Sequence, residues 1–258
     1  MSAPTERDAR RRAHRASRRV AVSLASLVAI AAVLVAAGSA GAGSLVFDLL
    51  GRAVELRLHY LVSLAVLGLA LLSFFASFER RKPQAREIVT VATLSALAVA
   101  GRAAFFFVPQ FKPVCAIVAI SGVAFGGQTG FLVGAIAGFV SNFLFGQGPY
   151  TPWQMTGFGV VGLCFGVLFA PGRLPRSRGA LCAFGALATF FLYGGTVNLG
   201  SVLYSGMPLT FETFFAMCVT AIPFDAVHAA ASAFFLFVLA DPMLAKLDRL
   251  KAKYGLGS

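Results

Sequence analysis

Long apolar runs separated by short polar breaks fill most of the chain. The runs are continuous rather than alternating, which marks helices instead of strands. Crossing a hydrocarbon core about 30 Å thick takes about 20 mostly apolar helical residues. Eight segments approach that length: Val20–Ala42, Leu58–Phe78, Glu87–Val108, Pro113–Phe125, Gly130–Phe145, Trp153–Ala170, Gly179–Leu203 and Thr213–Leu239. The fourth and fifth are short for full spans and are expected inside the bundle, tilted or shielded by neighbours. Their Ala/Leu/Gly-rich content argues against a membrane barrel. The expected class is an all-α membrane protein of about eight spans.

The polar breaks suggest a division. A basic tail (1–19) and an accessory two-span hairpin (20–78) precede a charged linker, residues 79–86, of sequence Glu-Arg-Arg-Lys-Pro-Gln-Ala-Arg. A six-span unit (87–240) and a basic tail (241–258) follow. No repeat points to inverted symmetry.

Composition agrees. Of 258 residues, 58% are apolar and 12% charged, about half the charged share of a soluble domain. That excludes a water-soluble enzyme, a disordered chain and a disulfide scaffold. The net charge of +12 needs no nucleic-acid partner once the basic residues are placed. Eighteen of the 22 lie in the N-terminal tail, the 79–86 linker, the loop after the sixth span and the C-terminal tail. These four segments share one side of an eight-span chain. The positive-inside rule then puts both termini in the cytoplasm of a plasma-membrane protein, and the dense arginines also meet anionic lipid of the bilayer. The first span has features of a signal peptide, but its apolar stretch exceeds the usual 7–15 residues or so, so a retained helix is preferred.

Cys115, Cys164, Cys182 and Cys218 lie in apolar spans without CxxC spacing and read as small buried side chains, with no metal site. No P-loop, zinc-protease, nucleophile-elbow or kinase motif is present, and no cofactor is expected. Charges inside spans mark function by default. Arg102 and Asp225 sit at similar depth, about 22 Å from the inner face at 1.5 Å per residue. His228 follows Asp225 by three positions on the same helix face. This cluster is either the polar floor of an outward-facing cavity or a structural ion pair. Near the outer side, a Gly/Pro-framed loop carrying Gln147 and Tyr150 leads into Trp153 and Gln154. Gln110, Asn142, Tyr193 and Asn198 lie at compatible depths. Together these are candidate ligand contacts; an interfacial aromatic belt is the alternative for the rings. Small residues recur every four positions: Ala92, Ala96 and Ala100; Gly130, Gly134 and Gly138; Gly162 and Gly166. Such faces let helices approach closely. Packing within the bundle suits the glycine faces, while the alanine face fits either packing or a docking surface.

The six-span unit resembles the substrate-binding (S) component of energy-coupling-factor (ECF) vitamin transporters. The matching stretches are Ala92-Thr93-Leu94-Ser95-Ala96-Leu97-Ala98-Val99-Ala100-Gly101-Arg102, Phe111-Lys112-Pro113-Val114, Gly130-Phe131-Leu132-Val133-Gly134, the run Phe145 to Met155, and Ile222-Pro223-Phe224-Asp225-Ala226-Val227-His228. It departs from the family at Ser232, where relatives often carry an amide, and in its leading hairpin. The resemblance implies a six-helix bundle that captures a vitamin-like ligand outside the cell without catalysis. It also implies docking, through Ala92, Ala96 and Ala100, on a membrane-embedded coupling subunit (T component) that carries two cytoplasmic ATPases. The Trp153-Gln154 pair points toward a cobalamin-type or other ring-bearing vitamin, with riboflavin and queuosine-precursor ligands also open. Two other classes stand beside it: a small intramembrane enzyme using Asp225 and His228 as an acid–base pair, and a scaffold or sensor domain.

Overall fold

The computed structural model describes residues 44–49, 52–79 and 85–254. The expected first span Val20–Ala42, the N-terminal tail and the middle of the 79–86 linker lie outside these residues. A two-stranded antiparallel ribbon opens the described chain, β1 (Ser44–Leu49) and β2 (Arg52–Arg57), in a register that pairs Leu45 with Leu56 and Phe47 with Val54. Spacing of apolar runs did not anticipate it, because six-residue strands are too short to register against spans. Helices α1 (Leu58–Glu79), α2 (Ala85–Ala104), α3 (Val114–Phe125), α4 (Gly127–Phe145) and α5 (Thr151–Leu168) follow. Then α6 (Arg178–Leu187) runs through a π-helical segment (Ala188–Gly194) into α7 (Gly195–Tyr204), and α8 (Phe211–Tyr254) closes the chain. Four of the described helices are long and apolar enough to cross a membrane: α2, α4, the continuous α6–α7 rod and α8. The protein is thus a multi-pass helical membrane protein.

The short α3 is the centre of the bundle. Every residue from Val114 to Ala124 is buried. Twelve residues rise only about 18 Å, so α3 relies on its neighbours for shielding, as expected for the short fourth span. The fifth is longer than expected. It begins at Gly127, with one residue between it and α3, because Gly126 at φ 93° occupies the left-handed region and reverses the chain in a single step. Helices α4 and α5 then pack backbone to backbone. A Cβ on Gly130 or Gly134 of α4 would overlap the α5 backbone at Gly162 or Phe158, and one on Gly166 would overlap Gly127. The glycine faces are inside packing.

Helix α8 corrects the expected end at Leu239. It continues for 44 residues to Tyr254, through Pro223 and Pro242, so positions 241–254 are helix rather than a separate tail. At 1.5 Å per residue it is about 66 Å long, about twice the hydrocarbon thickness, and its charged end must project. That end meets the basic loop between α5 and α6. Arg178 pairs with Asp241, and Arg176 with Asp248 at 3.6 Å. Arg176 and Lys251 also donate to the Val123 and Ala124 carbonyls that end α3, at 3.2 and 3.0 Å. Cations at helix C-termini meet both the orphan carbonyls and the negative end of the dipole. One end of the bundle is therefore basic and closed, while the polar cluster lies toward the other.

Candidate functional site

At the end opposite the basic loops, α2, α3, α4, α5, α7 and α8 enclose a cavity of about 500 Å³. Among its lining residues are Arg102, Gln110, Gln154, Tyr193, Asn198, Asp225 and His228, seven of the polar positions singled out in the sequence. The volume is in the usual range for a small-molecule site, about 300–1,000 Å³.

The cationic wall is held from behind. Arg102, 8% exposed, donates through Nη1 to Ser141 Oγ and, at 2.9 Å, to Asn142 Oδ1. Asn142 does not line the cavity; its Nδ2 donates to Gln154 Oε1 at 2.9 Å and to Thr151 Oγ1 at 3.1 Å. It links α2, α4 and α5 in one network. Arg102 also lies over the Phe145 ring at 4.4 Å. Lys112, in the connection between α2 and α3, donates to Val108 O at 2.8 Å and adds a second cation to the lining. Burial, with Arg102 nearby, holds its amine below the usual lysine value.

The opposite wall belongs to α7, α8 and the π segment. Asp225 accepts from Asn198 Nδ2 at 2.9 Å through Oδ2. It packs directly on Gly194, where a Cβ would come within 3.0 Å of both carboxylate oxygens. The π segment puts Tyr193 against Phe158 of α5, ring centroids 4.4 Å apart and stacked, with the His228 ring edge-on to Tyr193. His228 is 3% exposed. Its Nε2 lies 3.6 Å from Cys115 Sγ, and its Nδ1 is buried with no hydrogen-bond partner among the described residues.

Several expectations change here. Among the described residues, Arg102 and Asp225 form no ion pair; each has other partners, and both face the cavity. His228 does not bond to Asp225, although the two share a helix face, because its ring turns to Cys115. That leaves the acid–base pair of the enzyme reading unassembled. Trp153 is 2% exposed and packs on Gly200 among Leu67, Val202, Leu203 and Leu209, away from the cavity. Gln147 and Tyr150 fold their own loop: Gln147 donates to Phe139 O at 3.0 Å and Tyr150 to Gly146 O at 2.6 Å. They are outside the lining as well. Sequence reasoning did not select Lys112, Phe145, Phe158 or Phe224 as cavity residues; only Lys112 carried a signal, as a charge beside a short buried span.

Ala92, Ala96 and Ala100 are exposed. They form one wall of an apolar groove whose other walls are Phe75 and Phe78 of α1 and Leu132, Ile136, Val140 and Leu144 of α4. Buried Ser95 also lines it, and its hydroxyl has no partner among the described residues.

Residues 86–240 match the family model described as ECF transporter, substrate-specific component. A UPF0397 protein from Vibrio atlanticus is 34% identical over 134 residues, covering 47% of this chain and 73% of the relative's length. A UPF0397 protein from Aliivibrio fischeri strain MJ11 is 31% identical over 150 residues, covering 53% and 80%. One from Aliivibrio salmonicida is 29% identical over 153 residues, covering 53% and 80%. No solved structure matches the chain significantly.

Proposed function

The chain belongs to the family of ECF transporter substrate-specific components, and from that premise we propose that it captures a vitamin-like micronutrient at the outer face of the plasma membrane. Members of this family are non-enzymatic subunits that work with a membrane-embedded coupling subunit and ATPases. The observation that carries the proposal is the polar cavity. A lipid-dissolved bundle gains nothing from gathering Arg102, Lys112, Asp225 and His228 around a space unless something polar enters it. With the basic end and both termini in the cytoplasm, the cavity opens outward.

Its size supports a single ring system with short substituents. A cobalamin-type ligand, suggested by the Trp153-Gln154 pair, would have to keep most of its corrin ring outside a space of about 500 Å³. The burial of Trp153 also takes its ring out of the cavity wall. Docking on the coupling subunit falls to the groove beside Ala92, Ala96 and Ala100. Small side chains there admit a second helix closely.

The test is native mass spectrometry of the full chain, co-expressed with a coupling subunit and ATPases and purified in detergent. A bound small molecule is expected on the wild type, with at least about tenfold less on Arg102→Gln at unchanged elution volume, as loss of a charged hydrogen bond implies. A complex that forms yet holds no small molecule would refute the capture role.

A further inference from the structure

The cavity has opposed chemical ends, and this limits what it can hold. Arg102 commits Nη1 to Ser141 and Asn142, leaving Nη2 and Nε without a protein partner among the described residues. With Lys112 beside it, this end carries the two cationic donors of the lining. Across the cavity, Asp225 commits Oδ2 to Asn198 and leaves Oδ1 without a partner among the described residues, so this end offers an acceptor. Gly194 makes that position possible, since any side chain there would displace the carboxylate. His228 also lines the cavity, edge-on to Tyr193, with its Nε2 3.6 Å from Cys115 Sγ. Two cations against one carboxylate disfavour a cationic ligand. Phe158 and Tyr193, stacked face to face, with Phe145 under Arg102, give the walls flat rings.

Building on the capture role above, we propose that the ligand is a flat nitrogen heterocycle, neutral or acidic, held in one orientation. An amidine-like edge, a ring N–H beside an exocyclic amine, faces Asp225; a carbonyl or carboxylate edge faces Arg102 and Lys112. The carboxylate reads the amine. A ring with a carbonyl at that position would set one acceptor against another, and the partial burial of Asp225 strengthens the repulsion.

Pterin and lumazine test this directly, being bicycles of one shape that differ in a 2-amino against a 2-oxo group. Isothermal titration of the detergent-solubilised full chain is expected to show pterin binding at least tenfold tighter than lumazine. Asp225→Asn keeps an acceptor for Asn198 and turns an amide N–H toward the ligand, so the preference inverts. Arg102→Gln weakens both and preserves their order. Equal binding of the two bicycles, a wild-type preference for lumazine, or an Asp225→Asn variant that elutes normally and keeps the wild-type order overturns the orientation. If neither bicycle binds and mass spectrometry recovers another chemical class from the chain, the heterocycle assignment fails while the capture role stands. If nothing binds and nothing is recovered, both fail.

Discussion

A buried guanidinium in a membrane bundle is tolerated where its N–H groups find acceptors, and Arg102 finds Ser141 and Asn142 on α4. Asn142 in turn ties Gln154 to the same network, so it acts on the cavity from behind. Trp153 illustrates the opposite case. An amphipathic ring beside a Gly/Pro-framed loop reads as a ligand platform, but its indole N–H has no partner among the described residues and its ring is sealed by Leu67 of α1 and by Gly200. Trp153→Phe should therefore leave ligand affinity within about twofold while lowering stability by about 1–2 kcal/mol for the lost volume. Titration with the co-purified ligand and a thermal melt check this; a tenfold loss of affinity at unchanged melting temperature would return Trp153 to the site. The sequence makes Arg102, Asp225 and His228 conspicuous because charge in lipid is costly. It does not reveal which way Trp153 turns, since that depends on an α1 residue more than eighty positions earlier.

At the level of elements, four-residue glycine spacing foretells close helix packing, and α4 against α5 is where it occurs. Gly130 and Gly162 approach so closely that neither accepts a Cβ without backbone movement. Gly162→Val should destabilise the protein by about 1–3 kcal/mol or more through overpacking, read as a lower midpoint in detergent thermal denaturation; an unchanged midpoint would mean the helices separate at little cost. The π segment had no such signal. Wider turns of this kind occur at functional sites, and here one places Tyr193 and Gly194 against Phe158 and Asp225. No local pattern in Ala188–Gly194 distinguishes it from ordinary helix, because its geometry answers to packing on α5 and α8. The extent of α8 was hidden for another reason: hydropathy ends at the membrane, whereas a helix with good formers such as Lys, Leu and Ala continues into water.

Across the whole molecule, α2 serves two surfaces at once. Its buried side, with Leu94, Ala98 and Arg102, faces the core and cavity; its exposed side, with Ala92, Ala96 and Ala100, faces the groove. Ligand and coupling subunit would thus meet opposite sides of one rigid helix, which makes the two contacts separable by substitution. Ala96→Trp fills the groove without touching the cavity, so ligand binding should persist while co-purification with the coupling subunit falls at least tenfold. Arg102→Gln should do the reverse, losing ligand and keeping the partner. Affinity pull-down of the co-expressed subunits, with bound ligand measured on the same fractions, reads both. The α1 helix sharpens the outcome, because Phe75 and Phe78 form the far wall of the groove although they precede the family-matched residues 86–240. Phe75→Ala combined with Phe78→Ala should weaken the partner and spare the ligand if α1 helps to hold a docked helix. If only Ala96→Trp has an effect, docking rests on α2 and α4 alone; if neither does, the coupling subunit engages another face.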